Sequence, residues 1–560
     1  MKKKNLYIVY ISLAIWMIFV FFGSVSYDVN DDAGMNMAAA GAYGCYSQYL
    51  VYINVVLGYL FKLLYFIFPG INCYLWFYLI ADLVATTMIC VSVSDKLSLK
   101  HSVVLTVFIN LALADEFYIH IHYSKSAVLY VVAACLYFAM LLRKDEEVKL
   151  KSCLLPTIMF VFGFCVRIQS FESVFPFVVV LFGVIIIRCK RKGKNLKRFL
   201  VLLIPIVSCI MCFCINYYAY YMTEWRNFKV SDDILIKVRD FGLYDYESGS
   251  EEYDAHGITA NDFDMIHNWM FNDLETFNEN NLRVLEQVGK ANRGKVSILN
   301  TSVFKIALKE FSSRLCNRTL AGLLMCILLL SVAVCDRWVI LANITLNLLT
   351  LAEYYYLIFY GRLFWRVEII LWISAVLIGG YLVVDNLSGN NAEIKENQQS
   401  ASRLFKTAEA AFLLIMILFV FVKSEIIDNS RLTNGDSKYE DFQIIRESDA
   451  HFVMYNLAEY GMLLGGKDIF DIDRKYADYY SNITEMGGNG NSPAGLYFAN
   501  KKGITNPTKA LFEKDNVYFV GNVTAKNILL EHINEKYGQN IYAKIVIVDG
   551  VSAWKFLVYK

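Results

Sequence analysis

The sequence has few charged residues and few prolines for its length. Only 19% of its 560 residues are Asp, Glu, Lys or Arg, 57% are hydrophobic, and the mean hydropathy is +0.41. Because a soluble core does not need so much apolar sequence, the composition argues against a soluble protein and predicts several membrane spans. The net charge of +1 gives no sign of a nucleic-acid-binding protein.

Metal-binding cysteine spacings and internal repeats are also lacking. The thirteen cysteines show neither paired CxxC motifs nor Cys/His metal spacing, so we interpret them as small apolar side chains. A transporter built from two repeated halves would show that repeat and Gly/Pro-broken spans. No repeat is evident and there are only six prolines, which argues against that class.

Long apolar runs recur along most of the chain. The run at 50–68 is the doubtful one, because Lys62 lies at its middle and a lysine is costly at the centre of a bilayer. We therefore predict that 50–68 lies along the membrane surface and that about eleven runs cross the membrane as helices. The predicted spans are 7–23, 73–93, 102–115, 126–142, 152–166, 173–187, 199–222, 319–335, 338–357, 367–384 and 408–423.

The basic loops support this topology. If 50–68 does not span, the strongest basic stretch, "RCKRKGKNLKR" (188–198), falls on the cytoplasmic side together with Lys2–Lys4 and 143–151. If 50–68 spans, that stretch is placed outside. We therefore predict a multi-pass membrane protein with its N-terminus in the cytoplasm and its C-terminus outside.

Three hydrophilic stretches then face outward, at 24–72, 223–318 and 424–560. The last alternates helix-like and strand-like patterns, for example "NILLEHINEKYG" followed by "IYAKIVIVDG". We predict a transmembrane module over 1–423 and a small extracytoplasmic α/β domain over 424–560. Within that domain, "GGNGNSPAG" (487–495) is predicted to be a mobile loop.

Ionisable residues near the spans cluster on the predicted outer side, where they are functional candidates. One group lies in "ADEFYIHIHYSKSA" after the third span, and others lie beside later spans and in the long outer loop. The candidates for substrate binding are His120, His122, Lys125, Arg167, Gln169, Asp262, Trp269, Arg362 and Arg366. The cytoplasmic loops offer nothing comparable apart from basic residues.

Each of these residues also has a simpler explanation. The two histidines alternate with apolar residues, as ordinary interfacial side chains do. Arg362 and Arg366 are four residues apart and would share one helix face, where they could bind phosphate or extend to the membrane interface. Arginines offer bidentate hydrogen bonds to a lipid phosphate.

The densest acidic cluster follows the first span, in "YDVNDDAGM" (27–35). Asp28, Asp31 and Asp32 could be a solvated turn or could cap the following helix. A capping role needs one acid, and Asn would serve as well. A general base, in contrast, requires a carboxylate, and carboxylates also hold divalent metals.

Together these features resemble the GT-C superfamily of integral-membrane glycosyltransferases, and in particular bacterial membrane proteins that occur with surface-polysaccharide synthesis genes. "NDDAGM" after the first span is similar to the acidic motif in the first outer loop of that superfamily. "VRIQSF", "NDFDMIHNWMFND" and "YGRLFWRVE" resemble further segments of such proteins. A surface helix in the first outer loop and an outer C-terminal domain also fit.

The resemblance implies transfer of a sugar from a polyprenyl-phosphate donor to a cell-surface glycan or lipid-linked acceptor, with inversion. Asp31 or Asp32 would be the general base, and the other would orient it or help to hold a divalent cation, Mg²⁺ or Mn²⁺. The first outer loop has no second DxD motif, which leaves metal dependence open. Arg167 and Arg362 would bind the phosphate of the donor, with Arg366 in support.

One alternative is a polysaccharide polymerase or ligase, which is also multi-span and acts outside the membrane. Such enzymes rely on arginines and histidines in large outer loops and need no acidic motif after the first span. Replacement of Asp31 and Asp32 would separate the two classes. A second alternative is a non-enzymatic transporter of lipid-linked glycans.

Overall fold

The structure is a computed structural model that describes residues 3–241, 246–293, 301–313, 315–389, 436–457, 469–470, 478–538 and 540–559. The described residues form two compact units. The first unit draws them from Met1–Asp28, Leu75–Phe213 and Thr301–Leu432, and the second from Val29–Tyr74, Cys214–Asn300 and Thr433–Lys560. The predicted boundary at 423/424 lies outside the described residues, so that division remains a prediction.

Long apolar helices make up the first unit. Helix α6 is the most buried, because α7, α8 and α17 all pack against it. The helices, in chain order, are α1 (Lys3–Phe22), α4 (Cys73–Ser94), α5 (Leu99–Ala114), α6 (Tyr123–Arg143), α7 (Leu150–Val166), α8 (Ile168–Arg191), α9 (Leu203–Tyr221), α14 (Thr301–Ser313), α15 (Leu315–Val334), α16 (Arg337–Phe359) and α17 (Trp365–Gly389). The start of α4, up to Tyr74, and the end of α9, from Cys214, are counted in the second unit.

Seven helices of the described chain are long and apolar enough to cross a membrane. They are Lys3–Phe22, Cys73–Ser94, Leu99–Ile119, Tyr123–Arg143, Ile168–Arg191, Leu196–Tyr221 and Trp365–Leu387. Shorter apolar helices occur at Leu150–Val166 and Thr319–Val334. The prediction of a mainly helical, multi-pass membrane protein is confirmed. The count of eleven spans remains a prediction, and the run at 408–423 lies outside the described residues.

The second unit contains the doubtful run at 50–68. Its helix α3 (Val55–Ile67) has 13 residues and is therefore about 20 Å long, short of the roughly 30 Å hydrocarbon core. The ammonium group of Lys62 donates to the side-chain oxygen of Gln48 at 3.1 Å. This length agrees with a helix that does not span the membrane.

Short helices and one sheet complete the second unit, as the prediction of a small C-terminal α/β domain requires. The helices are α2 (Asn30–Ala40), α10 (Arg226–Phe241), α11 (Ser250–Ala255), α12 (Ala260–His267), α13 (Glu279–Arg293), α18 (Asp436–Glu447), α19 (Tyr497–Lys501), α20 (Pro507–Glu513) and α21 (Val523–Tyr537). The strands are β3 (His451–Met454), β4 (Ile483–Glu485), β5 (Val517–Val520), β6 (Ile541–Val548) and β7 (Val551–Val558).

The sheet has the order β4-β3-β5-β7-β6, with parallel pairing among β4, β3 and β5 and antiparallel pairing of β7 with β5 and β6. Asp549 and Gly550 form the tight turn between β6 and β7, and both have positive φ, as a two-residue hairpin of this kind requires. Buried residues such as Phe519, Leu529 and Phe556 form the core beside the sheet.

The stretch 487–495, predicted to be a mobile loop, contains a short 3₁₀ turn. Gly488–Asn491 form a 3₁₀ turn, and the side-chain amide of Asn491 donates to the carbonyl of Phe271 at 2.6 Å. A Cβ on Gly490 would lie 2.1 Å from the carbonyl oxygen of Glu485. The glycines are therefore needed for close packing against the end of β4.

Candidate functional site

The first candidate group lies where the first span ends in the first unit. Strand β1 (Ser26–Tyr27) pairs in parallel with β2 (His120–Ile121). The amide of Asp28 continues this pairing by donating to the carbonyl of Ile121 at 2.9 Å. Backbone pairing thereby holds Asp28 beside the charged segment that follows α5.

Lys125 is buried between two carboxylates. Its ammonium nitrogen is 3.0 Å from an Asp28 oxygen and 2.6 Å from Oε2 of Glu116, and the side chains of Lys125 and Glu116 are fully buried. The other Glu116 oxygen accepts a hydrogen bond from the indole of Trp365 at 3.0 Å. Glu116 lies in a π-helical turn (Asp115–Ile119), a distortion that often occurs at functional sites. These contacts balance the charge of Lys125.

His122 precedes α6 and caps it. Its Nδ1 accepts a hydrogen bond from the Ser124 amide at 2.9 Å, so in the neutral ring the proton lies on Nε2. Burial, and then the charges of Arg366, Lys125 and Arg167, hold the pKa of His122 well below its usual value. Nε2 is buried and has no hydrogen-bond partner in the part of the chain that the structure describes. It is a donor available to an acceptor that reaches this point.

Arg167 lies between α7 and α8 and is half-buried. Its guanidinium donates to the hydroxyl of Tyr123 at 2.7 Å and to that of Ser124, and its central carbon is 5.0 Å from the Tyr123 ring centre. Within the described ranges no carboxylate forms an ion pair with it. The structure thus holds Arg167 in place with neutral groups and leaves its charge uncompensated. Gln169, in the first turn of α8, is exposed.

Arg362 and Arg366 do not share a helix face, and the prediction that they do is wrong. Helix α16 ends at Phe359, and Gly361 adopts a left-handed φ of 65°, so Arg362 lies in the connection and only Arg366 lies in α17. Both guanidinium groups instead lie over the Phe364 ring, at 5.2 and 4.7 Å from its centre. The two arginines remain neighbours through this aromatic contact.

His120 belongs to the same segment as His122 but has different contacts. Its Nδ1 is 3.1 Å from the Ser26 hydroxyl and its Nε2 is 3.6 Å from an Asp115 oxygen. It is half-buried. These contacts tie it to the strand pair β1–β2.

The second candidate group lies in the second unit, around the acidic motif. Helix α2 begins at Asn30, and its N-cap is Val29, with no side-chain cap. Asp31 and Asp32 therefore lie within the first turn, where acids interact favourably with the helix dipole. The alternative in which one of these acids caps the helix by its side chain is wrong.

Asp32 is fully buried and accepts a hydrogen bond from the Tyr74 hydroxyl at 2.8 Å. The Tyr74 amide in turn donates to the hydroxyl of Tyr65 at 3.1 Å, and Tyr65 donates to Asn36. Asp32 is thus part of a buried hydrogen-bond network. Asp31 is half-exposed.

Glu485 lies close enough to Asp31 for the two carboxylates to interact. Burial, with a further contribution from the charge of Asp31, raises the pKa of Glu485 to about 8. The sequence analysis missed this residue, because Glu485 and Asp31 are far apart in the chain. Its position at the end of a strand, directly before "MGGNG", was the only signal available.

Asp262 and Trp269 also belong to the second unit, but their contacts are different from those of Asp31 and Asp32. Asp262 forms a capping box with Thr259 at the start of α12 and pairs with His532 at 3.1 Å and Lys536 at 2.5 Å. Burial alone would raise the pKa of Asp262, but these hydrogen bonds outweigh it and lower the pKa. Trp269 has a φ of 56° and is 46% exposed, with the Arg239 guanidinium 3.5 Å from its ring centre.

Asp31 and Asp32 are the predicted ligands of a divalent cation. Among the residues that the structure describes, no group of three or more His, Cys, Asp or Glu side chains could hold a metal ion. One oxygen of Asp32 is already engaged by Tyr74. The divalent cation expected at Asp31 and Asp32 therefore remains a prediction.

Fold and candidate groups together define a multi-pass helical membrane protein that also carries an α/β unit. No family model matches the chain, and no curated protein is significantly similar to it. Among solved structures, it is similar to the Archaeoglobus fulgidus oligosaccharyltransferase in its apo form, with 12% identity, coverage of 97% of this chain and 73% of that chain, and a TM-score of 0.44.

The chain is also similar to ArnT from Cupriavidus metallidurans in its apo state, with 11% identity, coverage of 98% of this chain and 97% of that chain, and a TM-score of 0.36.

Proposed function

We propose that the protein transfers a sugar from a polyprenyl-phosphate donor to a glycan or lipid-linked acceptor on the outer face of a bacterial cell membrane. The observation that carries the proposal is the group around His122 in the first unit. There a buried N–H donor without a partner among the described residues lies near two arginines, Arg167 and Arg366. Such a group favours an anion with several acceptor oxygens.

A phosphate diester fits this chemistry. The neutral ring of His122 donates one hydrogen bond from Nε2, and Arg167 offers the remaining N–H groups of its planar fork. Arg366, with Arg362 beside it, adds positive charge. Lys125 contributes indirectly, because its charge is already balanced by the carboxylates of Asp28 and Glu116. It holds the segment around His122 in place and does not bind the phosphate itself.

We assign the general base to Asp31 rather than Asp32. Asp31 is half-exposed, whereas Asp32 is fully buried and bonded to Tyr74. In the reaction, the base takes the proton of the acceptor hydroxyl, whose oxygen then attacks the anomeric carbon of the donor. The bond from that carbon to the phosphate oxygen breaks, and the lipid phosphate leaves with the electron pair, which inverts the anomeric centre.

Glu485 supports this assignment. With its pKa near 8, it holds a proton at neutral pH and can donate a hydrogen bond to an ionised Asp31. A protonated carboxyl group near a second carboxyl group is a common arrangement at acid–base sites. Glu485 is therefore proposed as a positioning residue for the base. Gln169, His120, Asp262 and Trp269 stay predicted substrate contacts, and a divalent cation at Asp31 and Asp32 stays a predicted cofactor.

Arg167→Lys tests the phosphate-binding role. Lysine keeps the charge but loses the planar fork, so the apparent KM for the donor should rise by about tenfold, with a smaller change in kcat. The assay measures transfer in membranes from a panel of polyprenyl-phosphate hexoses. Arg283→Lys, an exposed arginine of α13, is the matched control. Unchanged donor kinetics in Arg167→Lys would remove the phosphate-binding role.

A further inference from the structure

A cavity of about 200 Å³ lies in the first unit at the carboxyl end of α6. Helix α6 has 21 residues, so this cavity is about 30 Å from His122 at the other end and is separate from the group described above. Six cationic side chains and two acids line it. They are Lys96, Arg143, Arg188, Arg191, Lys192 and Lys194, with Asp336 and Asp385.

The two acids are already fully engaged. Asp385, 3% exposed, pairs with Lys96 at 2.8 Å, with Arg188 at 2.8 Å and with Arg143. Asp336 pairs with Arg188 at 3.1 Å and also caps the amino end of α16 through the amides of Trp338 and Val339. Neither acid has capacity to balance the remaining cations.

Two of the cations have no carboxylate partner. Lys194 pairs with Asp145, outside the cavity lining, at 2.7 Å. Arg191 and Lys192, in contrast, are exposed and form no ion pair with any described residue. The guanidinium of Arg191 lies over the Trp338 ring, 5.6 Å from its centre. The cavity therefore carries excess positive charge at its mouth.

Two further observations agree with this excess. The pKa of Lys96 is lowered to about 7, first by burial and then by the charges of Arg143, Lys192 and Arg188. In addition, Nε of Arg143 is buried without an acceptor among the described residues. Basic residues whose only role is to keep a loop on one side of a membrane need not be buried, and they need not line the same cavity.

We propose that this cavity binds a phosphate group, with Arg191 and Lys192 as its main ligands. The cavity lies where α4, α6 and α8 end and α16 begins, and the ends of spanning helices lie at the depth of lipid headgroups. The phosphate can come from an anionic phospholipid or from a soluble phosphate. Both sources present the same oxygens to the same cations.

The test uses the purified full-length protein and measures thermal unfolding. One arm adds inorganic phosphate, with chloride at equal ionic strength as the reference. The other arm reconstitutes the protein in nanodiscs of phosphatidylglycerol or of phosphatidylcholine. If the ligand is a lipid headgroup, wild type should be stabilised in phosphatidylglycerol nanodiscs and not by inorganic phosphate. If a soluble phosphate suffices, inorganic phosphate should stabilise it as well.

The double variant Arg191→Ala with Lys192→Ala should bind the stabilising anion about tenfold or more weakly, since charge-assisted hydrogen bonds are lost. Lys190→Ala with Lys197→Ala is the matched control. Both lysines are exposed in the same segment, carry the same total charge and do not line the cavity. If neither arm stabilises wild type, or if both double variants respond alike, the cavity is not a phosphate site.

Discussion

Asp28 and Asp31 are three residues apart in the chain, yet they lie in different units and have opposite surroundings. Asp28 of the first unit is 7% exposed and pairs with the buried ammonium of Lys125. Asp31 of the second unit is half-exposed and interacts with another carboxylate, that of Glu485. The acid beside the lysine balances a buried cation, whereas the acid near a second carboxylate has the surroundings that the proposed general base requires.

This difference explains why one short motif carries three acids. Asp28 neutralises a buried cation, Asp32 joins a network with Tyr74, and Asp31 remains accessible for chemistry. The same residue type therefore has three uses, set by its neighbours. Three substitutions test the comparison.

The largest expected effect is that of Asp31→Asn on catalysis. Loss of the base should reduce sugar transfer by about two to four orders of magnitude and leave folding intact. Transfer is measured in membranes with polyprenyl-phosphate hexoses, at matched protein levels. Asp264→Asn, an exposed acid of α12, serves as the control and should retain activity. Full activity of Asp31→Asn would show that Asp31 is not the general base.

Lys125→Met tests the opposite member of the comparison, the structural ion pair. It leaves the carboxylates of Asp28 and Glu116 buried without their cation, so the free energy of unfolding should fall by about 3–5 kcal/mol. Denaturant or thermal unfolding of the purified protein measures the change.

Lys290→Met is the matched control for Lys125→Met. Lys290 pairs with Glu286 on the surface of α13 and is 69% exposed, so its loss should leave stability unchanged. Equal stability of the two variants would mean that the Asp28–Lys125–Glu116 group does not support the fold.

The smallest expected effect is the pH dependence contributed by Glu485. Its pKa is raised from 4.5 to about 8, so the folded protein keeps this proton over a range in which the unfolded chain has lost it. The folded state then binds more protons, and stability falls as pH rises from about 4.5 to about 8. Glu485→Gln should remove this slope from a series of unfolding temperatures.

Glu513→Gln, an exposed acid at the end of α20, should leave the pH slope of stability unchanged. An identical slope in wild type and Glu485→Gln would show that Glu485 is not held as a neutral acid near Asp31. That outcome would leave Asp31 without its proposed positioning partner.

Much of the architecture followed from the sequence alone. Hydropathy over windows of about 20 residues predicted a mainly helical, multi-pass membrane protein, because crossing a bilayer depends on local length and composition. Lys62 within 50–68 signalled a helix that does not span, in agreement with the 13 residues of α3. Alternating patterns near the C-terminus predicted the α/β domain. The residues around His122 and Arg167 also stood out, since charge next to an apolar run is visible without a structure.

Tertiary structure alone decided what each charged residue does. The hydrogen bond from Trp365 to Glu116, and the effect of Asp31 on the pKa of Glu485, join residues hundreds of positions apart, so no local pattern contains them. The left-handed Gly361 separated two arginines that helical spacing had placed on one face. A single backbone hydrogen bond from Ser124 determined which nitrogen of His122 carries the proton. Composition determines where charges can lie, whereas protonation and pairing depend on neighbours that only the folded chain brings together.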